Sequence, residues 1–492
     1  MKPYKTFLFA LISLLCIVFF ACINPFEHID FSKNIYLRLP KYKDIFIFPK
    51  TKISLQTELD RQKALIDSIT QVLTTQYKLD TSMLFTNELR NIPSTFLEYD
   101  TLYPHPLKAF YKNLQNAPTS HELIRILHYG DSQIENERVT SSLRHYLQSA
   151  FGGEGKGIVS LYTNVFASGI SIEKSNTWKK IEMKKGGRRG NFGLCNAYIY
   201  PLSQSNVSSN IVLNFSSSKY AEIKQPLFLQ ALVHEDISPN EIHFKLNNKN
   251  TNSQPSIESR YGLSLYSWAL PNNCTQATLK FDMGKNHIVY ALSVNDTSGI
   301  VVDNLPIRGS TGQIFFQNNR QFLTTNYDLT NVKLVIFQFG VNAIPQDPSI
   351  IISDYTYYEN QISTELAYLR SLIPDLPILV VGTSDRSRKN GSDFETNPNV
   401  LSVRKAQRNA ALKTGCAYWD LYTAMGGENS MQLWVNTNPP LANKDFIHFN
   451  QLGADKVGKM LYKSLIQDYQ KYLFLEKKQE FEKLKINTHA KK

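Results

Sequence analysis

The fold is decided by Arg125-Ile-Leu-His-Tyr-Gly-Asp-Ser-Gln-Ile-Glu-Asn-Glu-Arg-Val139. Residues 126–129 predict a short buried strand, and residues 139–150 have the spacing of an amphipathic helix. Gly130-Asp131-Ser132 makes the turn between them. Open α/β sheets place their sites at the carboxyl ends of strands, and a helix N-terminus favours negative charge. Ser132 is therefore a candidate nucleophile, although the tripeptide alone favours a helix-capping serine in an ordinary loop.

Further apolar runs downstream have the character of parallel strands, which are buried on both faces. They cover residues 300–302, 333–339, 376–382 and 417–420. Helical patterns, notably 353–373 and 400–414, separate them. Together with the first strand they predict an α/β fold: a doubly wound, five-stranded parallel sheet in three layers.

The segment 161–298 has a different texture. Short alternating or apolar runs recur between Asn, Ser, Gly and Pro clusters, which is typical of a β-sandwich. Since it interrupts the α/β pattern, we interpret it as an insertion. Its aromatic residues could stack on sugars, but filling the sandwich core is the favoured interpretation; they include Trp178, Tyr261, Tyr266 and Trp268.

A glycine cluster, residues 151–157, precedes the insertion and superficially resembles a phosphate-binding loop. That loop requires a preceding strand and a Lys-Ser/Thr pair, whereas here a helix precedes and Gly157 follows Lys156. The cluster is interpreted as a turn.

Composition leaves several protein classes open. The chain has 492 residues, 42% of them hydrophobic, and a net charge of +12. This length allows two or three domains. No nucleic-acid motif accompanies the charge, so no nucleic-acid partner is expected. Attraction to an anionic polymer such as a cell-envelope glycan would suit the charge equally well.

The N-terminus predicts export. Lys2 and Lys5 precede an apolar run over residues 7–23. Three outcomes stay open: cleavage as a signal peptide, lipidation at Cys22, or retention as a membrane anchor. Each places the remainder outside the cytoplasm, in the periplasm or cell envelope, and lipidation or retention would tether it to the membrane. Residues 24–118 are predicted to be a tether followed by a helical segment, with helices near 53–75 and 107–116.

The cysteines and histidines indicate neither a disulfide scaffold nor a metal site. Cys195 and Cys274 could pair in an oxidising compartment, but their spacing does not require it. Cys416 opens an apolar strand and is interpreted as a small buried hydrophobe. The ten histidines are scattered, without metal-ligand spacing, so neither a metal nor a cofactor is expected.

Three later stretches lie at or near the predicted strand ends and complement Ser132. His448 is the histidine best placed to act as its base, and Asp445 could orient the imidazole. The backbone N–H groups of Ser132 and Gly309 and the side-chain amide of Asn342 could stabilise an oxyanion. Each residue alone has an ordinary explanation as a cap, turn or surface residue. Their joint occurrence in this order favours catalysis.

These residues carry a resemblance to a known family. Gly130-Asp131-Ser132, Gly309, Gly340-x-Asn342 and Asp445-x-x-His448 resemble the four sequence blocks of the SGNH/GDSL hydrolases. Leu143-Arg-x-x-Leu147, the glycine cluster and the β-rich insertion are similar to the bacterial peptidoglycan O-acetylesterase branch. In that branch the insertion resembles a carbohydrate-binding module. The resemblance implies the same roles for the five candidate residues; Gln133 replaces the leucine of the plain GDSL motif.

The predicted organisation is a hydrolase domain in two parts, residues 119–160 and 299–472, around the insertion 161–298. Residues 473–492 are predicted to be a charged tail that frays from the last helix, near 452–472. The expected function is an exported serine esterase that removes O-acetyl or other short acyl groups from a polysaccharide. Two alternatives are an O-acyltransferase, served by a membrane-bound acyl donor protein, and a glycan-binding protein without activity.

Overall fold

The computed structural model describes residues 28–489, except for 33–34, 39–49, 82–83, 162–168, 184–186, 203–206, 217–226, 252, 284–286 and 392. The predicted export segment 1–23 and Cys22 lie outside these ranges. Within them, no helix combines the length and the apolar character needed to cross a membrane. The chain divides into two units, Met1–Leu65 and Ile66–Lys492.

Strands and helices are numbered here in chain order. The strands are β1 His28–Ser32, β2 Ile35–Arg38, β3 Leu123–Gly130, β4 Gly155–Val159, β5 Ile170–Lys174, β6 Trp178–Glu182, β7 Ala197–Pro201, β8 Ser209–Phe215, β9 Leu227–His234, β10 Ile242–Leu246, β11 Lys249–Asn250, β12 Ser256–Arg260, β13 Leu263–Leu270, β14 Gln276–Phe281, β15 Val289–Asn295, β16 Gly299–Pro306, β17 Val332–Gln338, β18 Ile378–Val381, β19 Ser387–Asn390, β20 Asp393–Thr396 and β21 Ala417–Trp419. The helices are α1 Lys50–Thr75, α2 Asn87–Arg90, α3 Lys108–Ser120, α4 Thr140–Phe151, α5 Arg320–Leu329, α6 Thr356–Arg370, α7 Asn399–Lys413, α8 Leu421–Met425, α9 Ser430–Asn436 and α10 Gln451–His489.

The five predicted parallel strands form one sheet in the order β16-β3-β17-β18-β21, which confirms that prediction. By sequence order within the sheet this is 2-1-3-4-5, the flavodoxin-like arrangement. The first strand, β3, lies between β16 and β17, and Gly130 at its end is paired with Pro306 on one side and Gln338 on the other. The carboxyl ends of these three strands therefore meet at one edge.

Helices cover both faces of this sheet. Alternate residues of β3 point to opposite sides, so that Ile124 and Ile126 join one hydrophobic cluster while Leu127 and Tyr129 join another. The first cluster packs against α3, α4 and α10, and the second against α5, α6 and α7. This arrangement gives the three layers that the apolar runs predicted.

The inserted segment forms two antiparallel sheets with a core of their own. Their strand orders are β11-β10-β14-β8-β5 and β12-β13-β9-β15-β7-β6, with β4 paired to β15. Strand β4 therefore belongs to an antiparallel sheet, although residues 155–159 lie before the predicted boundary at 161. Tyr266 and Trp268 are buried in the core between these sheets, as the favoured interpretation had it, whereas Tyr261 is exposed.

The glycine cluster has a structural explanation. A Cβ on Gly155 would collide with the Val294 carbonyl, and one on Gly157 with the Asp303 carboxylate. Both residues also have positive φ angles, which glycine adopts most readily. Lys156 is buried and its Nζ lies 2.8 Å from Glu137 Oε2. The cluster therefore lets β4 pass close to its neighbours.

A buried ion pair fastens the inserted sheets to the parallel sheet. Arg125 Nη1 of β3 lies 2.7 Å from Asp303 Oδ2 of β16, and both side chains are buried. Asp303 also accepts the backbone N–H of Ile158 at 2.8 Å, and Arg125 donates to the Asn295 side chain at 3.0 Å. Strands β4 and β15 carry these last two partners, so the ion pair within the parallel sheet is hydrogen-bonded to both strands of the neighbouring antiparallel sheet.

Segments near both chain ends contain more regular secondary structure than the sequence predicted. Residues 28–38, part of the predicted tether, contain the antiparallel pair β1–β2. In the second unit, Ile69 and Leu73 of α1 join the same cluster as α10. The last helix, α10, continues to His489, past the predicted end near 472. Its charged continuation keeps helical backbone, in contrast to the frayed tail that its composition suggested.

The cysteines have separate surroundings. Cys195 packs against the cluster on the α5–α7 side of the parallel sheet, and Cys274 packs against the sandwich core. Cys416 is buried at the start of β21, and burial raises the pKa of its thiol to about 11. It behaves as the small buried hydrophobe that the sequence indicated.

Candidate active site

The turn after β3 is pinned between the neighbouring strands. The Gly130 carbonyl accepts the Ile307 N–H at 2.7 Å, and the Asp131 N–H donates to the Gln338 carbonyl at 3.2 Å. A Cβ on Gly130 would lie 2.8 Å from the Gln338 oxygen, so only glycine fits there without a shift. Ser132 consequently lies at the carboxyl edge of the sheet, as predicted.

Ser132 does not cap the helix that follows. A short 3₁₀ turn, Glu135–Glu137, comes next, and α4 begins only at Thr140, with Val139 at its N-cap position. The capping interpretation is therefore wrong, and the N-terminus of α4 is not formed by the Gly130–Ser132 turn. Any stabilisation of negative charge at Ser132 must come from other groups.

Ser132, His448 and Asp445 form a continuous hydrogen-bonded chain. Ser132 Oγ lies 2.8 Å from His448 Nε2, and His448 Nδ1 lies 2.7 Å from Asp445 Oδ2. With Nδ1 protonated and facing the carboxylate, a neutral imidazole presents the lone pair of Nε2 to the serine hydroxyl. This is the geometry that a serine nucleophile with a general base requires.

The side chain of Asp445 also stabilises the loop that carries Asp445 and His448. Its Oδ1 accepts the backbone N–H groups of Ile447 at 2.9 Å and His448 at 3.0 Å, which closes a tight turn. Partial burial alone would raise the pKa of Asp445, but the His448 side chain and these two N–H groups lower it to about 2. Asp445 therefore stays ionised through the range in which histidine titrates.

The predicted oxyanion donors lie on the two flanking loops. Gly309 follows β16 and has a φ of +75°. Asn342 follows β17, and its Nδ2 donates to the Ser310 carbonyl at 3.1 Å, which ties the two loops together. An amide nitrogen carries two hydrogens, so one is left for a substrate. Within the described ranges, the N–H groups of Ser132 and Gly309 have no hydrogen-bond acceptor.

Two residues that the sequence did not single out as functional brace this arrangement. Gln133 is buried; its Nε2 donates to the Ile447 carbonyl at 2.6 Å and its Oε1 accepts the Phe449 N–H at 3.3 Å. It therefore holds the backbone on both sides of His448. Arg138 donates to the carbonyls of Ser132 and Phe449, and so links the same two loops.

The turn also contains a carboxyl group in an unfavourable place. Asp131 is buried, and this burial raises its pKa to about 6, although the Gln133 N–H donates to it at 2.9 Å. Burying a carboxylate costs free energy unless it is well paired. The turn thus carries both the candidate nucleophile and a carboxyl group whose ionised form is destabilised by burial.

No metal site was found in the described part of the chain, where no three His, Cys, Asp or Glu side chains are grouped to hold an ion. The groups arranged around Ser132 are the His448 imidazole, the Asp445 carboxylate and hydrogen-bond donors. Such an arrangement can support nucleophilic acyl transfer.

No protein-family model and no curated protein sequence matches the chain. Among solved structures, one described as "Peptidoglycan O-acetylesterase in action, 5 min" has 22% identity and a TM-score of 0.59, and the match covers 74% of this chain and 96% of that one. An acetyl xylan esterase, AlAXEase, has 15% identity and a TM-score of 0.26, covering 34% and 81%. A family two carbohydrate esterase from Cellvibrio japonicus has 12% identity and a TM-score of 0.20, covering 61% and 99%.

The fold resembles that of the SGNH/GDSL hydrolases, with Ser132 at the carboxyl edge of the parallel sheet. More particularly, this chain is similar to the peptidoglycan O-acetylesterase structure over nearly the whole of that protein. The predicted resemblance is thereby confirmed at the level of the fold.

Proposed function

We propose that this protein is a serine esterase that removes O-acetyl or other short acyl groups from a polysaccharide. The observation that carries the proposal is the hydrogen-bonded chain from Ser132 Oγ through His448 to Asp445, at 2.8 and 2.7 Å. The similarity to a peptidoglycan O-acetylesterase structure supports the choice of a glycan ester as substrate.

In the first half-reaction the Ser132 oxygen attacks the acyl carbonyl carbon while His448 Nε2 takes the hydroxyl proton. The carbonyl oxygen becomes an oxyanion, for which the N–H groups of Ser132 and Gly309 and the Asn342 amide are the donors. Loss of one such donor typically costs about 3–4 kcal/mol of transition-state stabilisation. The bond between acyl carbon and sugar oxygen then breaks, and His448 gives its proton to that oxygen.

In the second half-reaction a water molecule attacks the acyl-serine ester. His448 now takes a proton from the water and returns it to Ser132 Oγ as the acid leaves. Asp445, whose pKa is lowered to about 2 by its hydrogen bonds although burial opposes this, stabilises the protonated imidazole in both halves. No cofactor enters either step.

We also propose that the protein acts outside the cytoplasm and is tethered to the membrane. Lys2 and Lys5 before the apolar run 7–23 support export, and Cys22 or the run itself would supply the tether. A cell-envelope polysaccharide would then be within reach.

The test is ester hydrolysis by the purified protein. Wild type should cleave p-nitrophenyl acetate and release acetate from an acetylated glycan, and Ser132→Ala should lose about 10³-fold or more of both activities while keeping its circular dichroism spectrum. Equal rates for the two proteins would refute the proposal. Acyl groups that appear on an added acceptor glycan, in place of free acetate, would assign the transferase alternative.

A further inference from the structure

A cavity lies between the inserted segment and the α/β part. Its volume is about 820 Å³, and none of the five candidate catalytic residues lines it. The walls come from the insertion, from the segment that leads into α5, and from α6; they include Arg189, Asn191, Phe316, Asn319, Arg320 and Tyr368.

The cavity is positively charged. Arg189 lies over the Phe316 ring, 4.3 Å from its centroid, which fixes the guanidinium without neutralising it. Arg320 donates to the Ser371 carbonyl at 2.6 Å, so it too keeps its charge. No carboxylate is among the lining residues. Glu365, which accepts the Phe316 N–H at 2.9 Å, is buried, and burial raises its pKa to about 7.

A helix N-terminus adds to this charge. Asn319 caps α5 by accepting the Phe322 N–H, and Arg320 is the first residue of the helix. In the described part of the chain the backbone N–H groups of Arg320 and Gln321 have no acceptor. Free N–H groups at a helix start favour an anion. Two arginine residues, one of them the first residue of this helix, therefore line one cavity.

Hydrogen bonds link the loops that form the walls. The Gly190 N–H donates to the Gln317 carbonyl at 3.1 Å, and the Asn319 N–H donates to the Gly190 carbonyl at 2.9 Å. Asn318, which is buried, donates to the Asn196 side chain at 2.9 Å. A preformed site loses less conformational entropy on binding.

One helix joins this cavity to the Ser132 site. The Tyr358 hydroxyl near the start of α6 donates to the Thr311 carbonyl at 3.1 Å, in the loop that carries Gly309. Tyr368, further along α6, lines the cavity and donates to the Asn318 carbonyl at 2.8 Å. Ten helical residues span about 15 Å, so one polymer could engage both places.

We propose that this cavity binds an acidic group of the polysaccharide, a sugar carboxylate, and that the substrate class is therefore an acidic glycan. The proposal rests on the proposed function for its choice of polymer. Carboxylate and phosphate groups share the chemistry that two guanidinium groups recognise, and we commit to the carboxylate. The net charge of +12 would assist the encounter with such a polymer.

The test measures binding of polygalacturonate to the full chain, with fully methyl-esterified polygalacturonate as the neutral counterpart and polyphosphate as the phosphate counterpart. The double variant Arg189→Gln/Arg320→Gln should bind polygalacturonate at least about 10-fold more weakly than wild type, because two charge-assisted contacts are lost. The matched control Lys389→Gln/Lys405→Gln removes the same charge from exposed positions away from the cavity lining and should change binding less than about 3-fold.

Hydrolysis of p-nitrophenyl acetate is measured on the same samples. A normal rate in the double variant with weakened polygalacturonate binding supports the cavity as a separate site. If no protein hydrolyses the ester, the proposed function fails while the binding comparison still stands. Absent binding, binding equal in all three proteins, equal binding of the methyl ester, or binding of polyphosphate alone would each overturn the acidic-glycan proposal.

Discussion

The carboxyl edge of the parallel sheet and the interior of the β-sandwich use their side chains in opposite ways. At the sheet edge, Asp131 and Gln133 are polar yet only 1% and 2% exposed, and they hold loops in place. In the sandwich, Tyr266 and Trp268 could have served sugar binding, yet both are buried in the core. Buried polar groups that position a reactive side chain are therefore a better guide to chemistry than aromatic residues at regular spacing.

The largest expected effect is a loss of turnover when the site at the sheet edge is altered. Asp445→Asn should lower turnover on p-nitrophenyl acetate by roughly 10²- to 10⁴-fold, because the neutral amide cannot stabilise a protonated His448 and can favour the wrong tautomer. The control is Asp282→Asn in the sandwich, which breaks a comparable exposed pair, His243 Nε2 to Asp282 Oδ1 at 2.7 Å. Its rate should equal that of wild type. Equal losses in both variants would remove the distinction between the two regions.

A substitution in the core of the sandwich should instead lower stability and leave turnover unchanged. Trp268→Ala should reduce the free energy of unfolding by about 3–5 kcal/mol, since it opens a cavity in a packed core. Turnover per folded molecule on the small ester should not change. Tyr261→Ala, at an exposed position, should stay within about 0.5 kcal/mol of wild type. Urea unfolding and active-site titration check these values; a stable but inactive Trp268 variant would contradict the account.

The raised pKa of Asp131 predicts that the free energy of unfolding depends on pH. Burial raises this pKa from 3.8 to about 6, so the folded protein holds a proton that the unfolded chain releases between pH 4 and 6. Stability contributed by Asp131 therefore falls as the pH rises through this window. The free energy of unfolding of Asp131→Asn minus that of wild type should therefore increase by on the order of 2 kcal/mol from pH 4 to pH 7. An unchanged difference across this range would contradict the raised pKa.

The smallest expected effect concerns the brace on the histidine loop. Gln133→Leu introduces the leucine of the plain GDSL motif. It removes the hydrogen bonds to the Ile447 carbonyl and the Phe449 N–H. We expect turnover to fall about 10-fold with KM on the small ester nearly unchanged, since His448 loses its position while the binding surface remains. Ser384→Ala removes only a 3.3 Å contact of the same side chain and should cost less than about 3-fold. Equal effects would show that Gln133 does not position His448.

The strands, and the grouping of the candidate residues at their ends, could be predicted from the sequence for identifiable physical reasons. Parallel strands are buried on both faces, so β17 is a nearly continuous apolar run, and β3 is buried although it contains Arg125 and His128. The strand order 2-1-3-4-5 was not predicted, but the carboxyl ends of neighbouring strands bring Ser132, Gly309 and Asn342 to one edge. The pairing of Asp445 with His448 is a short-range feature of one turn.

What the sequence did not reveal depends on contacts between distant residues. Gln133 has its partners in the loop around His448, more than three hundred residues away, and nothing in its neighbours indicates them. Strand β4 joins the sandwich only because β15 lies beside it. The buried Arg125–Asp303 pair joins two neighbouring strands that are far apart in sequence, and the cavity lined by Arg189 likewise joins distant segments.

The central claim is that Ser132 is the nucleophile, and covalent labelling tests it most directly. Purified protein is treated with a fluorophosphonate, and the adduct is located by peptide mass spectrometry. The account predicts one adduct, on Ser132, that is absent in Ser132→Ala and forms more slowly in Asp445→Asn. An adduct on another serine, or no adduct in a protein that hydrolyses esters, would contradict it.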